Sequence, residues 1–175
     1  RRTGCQRGSS VANSASTTRE LTIMDIRLEG RAALITGGSE GLGKGMALRF
    51  AESGADIAIL ARRPDALNAA KAEIEAVSKG KVITLPCDLL DGAATKAAFA
   101  EANAALGKID ILVNNAGTSR AKAFDTVTDE EWEEDLELKL MAAIRLCRAA
   151  LPGMKERKWG RIINVLNIGA KAPRA

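Results

Sequence analysis

Short apolar runs recur along this chain, and between them the apolar positions follow helical spacing. A continuous run of a few apolar residues is typical of a strand that is buried on both faces of a sheet. Helical spacing between such runs predicts crossover helices that cover a parallel sheet. The pattern therefore predicts a doubly wound α/β domain. Its five visible strands are expected at 32–35, 57–60, 82–85, 111–113 and 162–166.

Start and stop residues delimit the first three predicted helices. The first begins in a glycine-rich turn after the first strand and stops at Gly54. The second begins at Pro64, because proline fits the first turn of a helix, and stops at Gly80. The third begins at Asp91 and stops at Gly107. Each of these helices therefore connects two strands of the predicted sheet.

A long fourth helix precedes the last predicted strand. Thr128 and Glu131 form a capping-box signature at its start, and we expect Pro152 to bend or end it. One face of this helix is expected to be apolar. The residues of that face are Trp132, Leu136, Leu140, Ala143, Cys147 and Leu151.

Length and charge narrow the class of protein. A chain of 175 residues, 46% of them hydrophobic, fits one compact domain. Residues 1–27 account for +3 of the net charge of +4, because they contain five arginines against Glu20 and Asp25. The remaining chain is nearly neutral and has only three Phe and two Trp. It lacks the basic and aromatic surface typical of nucleic-acid binding, and we exclude that class.

The cysteine pattern and the hydropathy indicate a soluble protein. The three cysteines, Cys5, Cys87 and Cys147, lie in unlike settings. This argues against a disulfide framework and favours a cytoplasmic location. No run approaches the roughly 18 continuous apolar residues that a membrane span needs. We predict no membrane partner and no metal site.

Residues 1–27 differ in composition from the rest of the chain. Their richness in Arg, Ser and Thr is compatible with an organelle transit peptide. The favoured interpretation is a disordered or non-native extension, since Met24 opens the segment that leads into the first strand. We therefore divide the chain into this extension and a partial α/β domain at 28–175. The remainder of that domain is expected beyond the fifth strand.

The glycine-rich turn after the first strand is the main candidate binding element. Glycines let backbone N–H groups approach an anion, and the following helix directs the positive end of its dipole to the same place. A turn without a ligand is the alternative, but the position in the first βα unit favours a dinucleotide cofactor. The candidate residues are Gly37, Ser39, Glu40, Gly41, Leu42 and Gly43.

Two motifs resemble those of the short-chain dehydrogenase/reductase family. Thr-Gly-x-x-x-Gly-x-Gly begins at Thr36, and Asn-Asn-Ala-Gly occupies 114–117 directly after the fourth strand. The resemblance covers residues 28–175 and implies a partial NAD(P)-binding Rossmann domain. It also implies further residues at the cofactor. These are Asp88 and Leu89 near the adenine, and Asn115, Ala116 and Gly117 along the cofactor.

The tip of the second strand indicates which nicotinamide cofactor is bound. An NAD site usually has an acidic residue there, whereas this chain has Arg62 and Arg63. Two guanidinium groups can bind a 2′-phosphate, so we predict NADP(H) in preference to NAD(H). Glu40 argues against a preference for NADP(H), since many NADP-using relatives have a basic residue at that position. A solvated charge pair is the alternative interpretation of the two arginines.

The catalytic positions of the family are only partly visible. Family members use Tyr, Lys, Ser and Asn, but this chain contains no Tyr and no His, and the Tyr-x-x-x-Lys segment is expected beyond Ala175. The resemblance places Lys139 where the family has Asn, and Asn167 where it has Ser. Lys139 can supply charge or a proton, and Asn167 an amide hydrogen bond. The alternatives are a solvated or structural lysine and a loop-capping amide.

The resemblance predicts an NADP(H)-dependent oxidoreductase that transfers a hydride between the nicotinamide and a small-molecule carbonyl or alcohol. The alternative is a non-catalytic dinucleotide-binding pseudoenzyme or sensor, because two catalytic residue types are replaced. The resemblance also suggests a homo-oligomer that associates through the long helix carrying Trp132.

Overall fold

Five parallel strands form the sheet at the centre of the domain. The computed structural model describes residues 26–118 and 122–166. Its strands are β1 (Ala32–Thr36), β2 (Asp56–Ala61), β3 (Val82–Pro86), β4 (Ile111–Asn114) and β5 (Arg161–Asn164). The strand order within the sheet is β3-β2-β1-β4-β5. The five predicted strands and the doubly wound α/β class are confirmed.

Helices connect these strands. They are α1 (Gly41–Glu52), α2 (Pro64–Glu75), α3 (Gly92–Leu106), α4 (Asp129–Leu136) and α5 (Ala142–Glu156). A short 3-10 helix (Phe124–Thr126) precedes α4, and a π-helical segment (Glu137–Met141) joins α4 directly to α5.

The sheet is covered on both faces because its central strands are apolar except at their ends, where Thr36 ends β1 and Asp56 begins β2. Leu34 and Leu60 point to one face, where they pack in a cluster with residues of α3 and α5. Ile35 and Ile59 point to the other face, where they pack with residues of α1 and α2. All four side chains are fully buried. Burial of both faces is the main stabilising contribution to this sheet.

The topology opens a crevice at one edge of the sheet. β1 pairs in parallel with β2 on one side and with β4 on the other. The connections from these strands lead to helices on opposite faces, so the segments that follow β1 and β4 diverge at the carboxyl ends of the strands. In open α/β sheets, ligands bind at this switch point.

The predicted helix boundaries are mostly confirmed. Asp91 caps α3 through its side chain, and Gly107 ends α3 with a left-handed φ of 79°. Thr128 and Glu131 form the predicted capping box. Helix α2 begins at Pro64 as predicted but ends at Glu75, before Gly80, because the chain turns at Val77 and Ser78 onto the carbonyl of Ile74.

Two predictions about the long helix are wrong. Pro152 neither ends nor visibly interrupts α5, which continues to Glu156. The predicted apolar face is also largely exposed, including Trp132, Leu136 and Leu140. The buried face consists instead of Ala142, Leu146, Ala150 and Met154.

The π-helical segment separates an exposed part of the long helix from a buried part. Trp132 and Leu136, which precede it, are exposed. After it, the buried Ala142, Leu146 and Ala150 each lie one residue before the predicted Ala143, Cys147 and Leu151. Packing of the buried face carries α5 past Pro152, because tertiary contacts outweigh local helix propensity.

Some predictions fall on residues outside the described ranges. The extension at 1–27 lies outside them except for its last two residues, and Asn167 also lies outside them. The division into an extension and a domain at 28–175 stays a prediction.

Lys158 provides a stability test at the end of α5. It has a φ of 54°, the only positive φ of a non-glycine residue in the ranges 26–118 and 122–166. A Cβ in this left-handed conformation costs about 1 kcal/mol. We expect Lys158→Gly to raise the free energy of unfolding by roughly 0.5–1 kcal/mol in urea titrations. Lys158→Ala keeps the Cβ and is the control; equal effects of the two variants would contradict the prediction.

Asp91 provides a pH-dependent test at the start of α3. Its carboxylate accepts hydrogen bonds from the N–H groups of Ala94 and Ala93, and these bonds lower the pKa of Asp91. Because the folded pKa is the lower one, the stabilisation is complete above the ordinary aspartate pKa of about 4 and is lost as the pH falls through the folded pKa. We expect Asp91→Ala to reduce the free energy of unfolding at pH 7 and to reduce it less in acid.

The matched control is Asp91→Asn, because asparagine also caps helices but carries no charge. Urea unfolding of the three proteins at neutral and acidic pH gives the comparison. A deficit of Asp91→Ala that grows on acidification would refute the assigned role.

Candidate cofactor-binding site

A cavity of about 860 Å³ lies at the carboxyl edge of the sheet, within the usual range for ligand cavities. Four segments supply most of its lining: the turn after β1, the tip of β2, the end of β3 and the loop after β4; Leu138 and Val165 complete it. All but one of the predicted cofactor-binding residues line it. They are Gly37, Ser39, Glu40, Gly41, Leu42, Arg62, Arg63, Asp88, Leu89, Asn115, Ala116 and Gly117.

Gly43 is the exception and requires a correction. It is buried and does not line the cavity. A Cβ on Gly43 would lie 2.2 Å from the carbonyl oxygen of Gly37 and 2.6 Å from Asn115 Nδ2. Gly43 therefore allows α1 to begin directly against the turn and the Asn115 side chain, which is a packing role.

The amino end of α1 faces this cavity with its backbone donors available. Glu40 occupies the N-cap position, but its side chain makes no capping hydrogen bond. The first N–H groups of a helix have no partner within the helix. Together with the helix dipole, they form a site that suits an anion such as a phosphate.

Hydrogen bonds of Thr36 connect the turn after β1 to the loop after β4. Its hydroxyl accepts hydrogen bonds from the N–H groups of Asn115 (2.9 Å) and Ala116 (3.0 Å) and donates one to the carbonyl of Val113 (3.3 Å). The side-chain amide of Asn115 donates in return to the carbonyls of Thr36 (3.0 Å) and Gly37 (3.4 Å). The two loops thus form one unit. We did not predict this role for Thr36, although it ends β1 directly before the glycines.

The two arginines at the tip of β2 have different surroundings. Arg63 forms an ion pair with Glu40 across the cavity mouth, whereas Arg62 is exposed and lines the cavity. No partner of Arg62 is recorded among residues 26–118 and 122–166. The sequence could not show this difference, because residues 40 and 63 are 23 positions apart.

The end of β3 supplies the opposite wall. Asp88 is exposed, and its carboxylate accepts a hydrogen bond from the N–H of Leu90 (3.1 Å), while Leu89 is buried. Cys87 also lines the cavity, a contact that we did not predict. Burial raises the pKa of the Cys87 thiol, with a partly opposing hydrogen bond from Thr95. A neutral thiol is a poor nucleophile, so Cys87 contributes apolar surface.

Lys139 lies in the middle of the π-helical segment. Its Nζ is 2.6 Å from Asp135 Oδ1, and its side chain is 43% exposed. The aliphatic stem runs beside the loop after β4: a Cβ on Gly117 would lie 3.7 Å from Lys139 Cε. The ammonium is thus close to the candidate site but hydrated and ion-paired. Its catalytic role stays a prediction.

A second cavity, of about 660 Å³, adjoins the first. The two share residues of the loop after β4, including Ala116 and Gly117. In the second cavity, the amide of Asn114 donates to Asn164 Oδ1 (2.8 Å) and contacts Cys147 Sγ (3.5 Å). Lys139 also lines it. The two cavities thus lie side by side, and the second is lined mainly by apolar side chains with a few polar groups among them.

Membrane-spanning helices and metal-binding clusters are both absent from the part of the chain that the structure describes. Over 26–118 and 122–166, no helix is long and apolar enough to span a membrane. The same residues contain no group of three or more His, Cys, Asp or Glu that could hold a metal ion.

Comparison with known proteins determines the family. The sequence model described as short chain dehydrogenase matches residues 31–175. The chain belongs to the short-chain dehydrogenase family. D-beta-hydroxybutyrate dehydrogenase of Cupriavidus necator is 40% identical over 139 residues, covering 79% of this chain and 53% of that protein. Fatty acyl-CoA reductase of Acinetobacter baylyi is 37% identical over 147 residues, covering 83% and 50%.

Solved structures agree with this family. L-sorbose reductase of Gluconobacter frateurii, complexed with NADPH and L-sorbose, superposes with a TM-score of 0.82 at 36% identity, covering 86% of this chain and 57% of that one. A 7α-hydroxysteroid dehydrogenase complexed with NADH has a TM-score of 0.79 at 32% identity, covering 84% and 57%. The chain spans about half the length of the curated relatives it matches. Since family members use either cofactor, family membership does not select between them.

The hydrogen bonds by which the Thr36 hydroxyl connects the two loops can be tested directly. Thr36→Val keeps the shape but leaves the N–H groups of Asn115 and Ala116 without their acceptor. We expect the free energy of unfolding to fall by about 1–3 kcal/mol, the usual cost of unsatisfied buried donors. Thr36→Ser retains the hydroxyl and is the control in the same denaturant titration. A loss in Thr36→Ser as large as that in Thr36→Val would show that the hydroxyl contributes no more than the methyl group and would contradict the prediction.

Proposed function

We propose that this protein is an oxidoreductase that binds NADP(H) in preference to NAD(H) in the 860 Å³ cavity. When bound, this cofactor exchanges a hydride with a small-molecule carbonyl or alcohol. The observation that carries the cofactor preference is the tip of β2, where Arg62 and Arg63 directly follow the strand in place of a carboxylate and line the cavity. Guanidinium groups bind phosphate through paired, charge-assisted hydrogen bonds.

The residues present fit such a dinucleotide. The uncapped first turn of α1 offers N–H donors for a pyrophosphate. Arg62 and Arg63 lie on the side where an adenosine ribose would follow, and Asp88 and Leu89 bound the next wall. The Asn115–Gly117 loop leads from there towards the second cavity. The NADPH complex of L-sorbose reductase supports the same assignment by analogy.

For catalysis, we propose roles for Lys139 and Asn167. The ammonium of Lys139 lies at the second cavity, where it can hold a positive charge near a substrate oxygen. The assignment of Asn167 as an amide donor rests on its place in the family pattern. We also propose that the protein is a homo-oligomer, since Trp132, Leu136 and Leu140 form an exposed apolar stripe along the long helix. A cytoplasmic location stays a prediction.

A second candidate function is a dinucleotide-binding protein without turnover. The observation that favours it is the hydrated, ion-paired state of Lys139 at a catalytic position of the family. Hydride transfer separates the two candidates. NADPH oxidation with a panel of aldehydes and ketones supports the oxidoreductase, whereas tight binding without oxidation of NADPH by any of them supports the sensor.

The cofactor preference is tested by calorimetric titration of NADPH and NADH. We expect a lower Kd for NADPH. Arg62→Ala should raise that Kd by at least about tenfold, since a charge-assisted hydrogen bond contributes roughly 1.5–3 kcal/mol, and should leave the Kd for NADH nearly unchanged. Arg49→Ala, on an 80%-exposed arginine of α1, is the matched control. Tighter binding of NADH, or equal losses for both cofactors, would overturn the preference.

A further inference from the structure

We propose that Glu40 competes with the 2′-phosphate of NADP(H) for Arg63 and so limits the selectivity of the site for NADP(H). The inference rests on the proposed function, because it concerns the same cavity. It assigns different roles to the two arginines: Arg62 binds the phosphate in every case, and Arg63 binds it only after leaving Glu40.

The ion pair spans the cavity mouth. Glu40 belongs to the turn after β1 and Arg63 to the tip of β2, and both residues line the cavity. A 2′-phosphate that contacts the β2 tip therefore meets the pair itself. Since the guanidinium has already engaged a carboxylate, its charge is partly neutralised before any cofactor enters.

Glu40 occupies a capping position of α1 but pairs with Arg63 instead of capping the helix. As the N-cap residue of α1, it has extended dihedral angles and could bond the first-turn N–H groups, yet it makes no side-chain cap. Within residues 26–118 and 122–166, the side chain of Glu40 has Arg63 as its one partner. The first-turn donors remain available to the cofactor, because the carboxylate of Glu40 is paired with Arg63.

The pair is also easily exchanged. The side chains of Arg63 and Glu40 are 66% and 67% exposed, and such solvated ion pairs contribute little stability. A phosphate has more charge and more acceptor oxygens than a carboxylate, and it can displace Glu40 from the guanidinium. Glu40 then remains as an unpaired anion beside a dianion, which weakens binding through like-charge repulsion.

NADH does not encounter this competition. It has a ribose hydroxyl in place of the 2′-phosphate, so Arg63 and Glu40 can stay paired when it binds. The penalty therefore acts on NADP(H) alone. Removing the charge of Glu40 should improve NADPH binding without a matching change for NADH, whereas a merely structural ion pair would affect both cofactors or neither.

The experiment is a double-mutant cycle in the full chain, with calorimetric titrations of NADPH and NADH. Its members are wild type, Glu40→Gln, Arg63→Ala and the double variant. Glutamine keeps the size of Glu40 and removes its charge. We expect Glu40→Gln to lower the Kd for NADPH by about five- to tenfold and to change the Kd for NADH by less than about twofold. Arg63→Ala should weaken NADPH binding more in the Glu40→Gln background than in the wild type.

The control is Glu52→Gln, which breaks the exposed Arg49–Glu52 pair on α1 outside the cavity. We expect it to leave both dissociation constants unchanged. Thermal unfolding of every variant distinguishes an effect on binding from one on folding.

The outcomes separate this inference from the proposed function. Suppose that NADPH and NADH both bind, but that Glu40→Gln weakens NADPH binding, changes both dissociation constants equally, or acts additively with Arg63→Ala. The competition is then overturned and the proposed function stands. If neither dinucleotide binds to the wild type, both are overturned. If the wild type prefers NADH and Glu40→Gln shifts the preference towards NADPH, the competition is supported and the proposed preference fails.

Discussion

The hydrogen bonds of the Thr36 hydroxyl hold together the two loops on which the candidate site depends. One loop carries the glycine turn and the other carries Asn115, and about 79 residues separate them in the chain. Hydrophobic burial places β1 beside β4, but burial is non-directional and does not fix the loops that follow. Paired donors and acceptors do fix them, because a buried N–H that loses its acceptor is costly. The two cavity walls that these loops form therefore keep their relative position through the hydrogen bonds of Thr36.

The electrostatics of the cavity follow from which loop ends meet there. The amino end of α1 contributes backbone donors, and the tip of β2 contributes two guanidinium groups. Both favour a polyanionic ligand. Glu40 introduces the opposite charge at their meeting point and is balanced by Arg63. The proposed preference for a phosphorylated cofactor therefore depends on the balance between these positive groups and the carboxylate of Glu40.

The π-helical segment between α4 and α5 separates an exposed part of the long helix from a part that packs against the sheet. Before it, no residue of α4 is buried, and after it Ala142 and Leu146 pack against the sheet. Lys139 lies within the segment itself, beside the loop after β4. A helix with regular spacing would rotate these groups relative to one another. Lys139 therefore reaches the second cavity from the point where the exposed part of the long helix ends and the buried part begins.

The sequence by itself determined the features that arise from nearby residues. Apolar runs predicted the strands, Pro64, Asp91 and Thr128 marked helix starts, and the glycine turn was identified from its spacing, because dihedral preference and periodicity act over a few residues. Only the tertiary structure decided the contacts between distant segments. The Glu40–Arg63 pair, the hydrogen bonds of Thr36 and the packing role of Gly43 depend on how strands align. The buried face of α5, at Ala142, Leu146 and Ala150, was not revealed by the apolar spacing, because packing against the sheet and not local preference decides which helix face is covered.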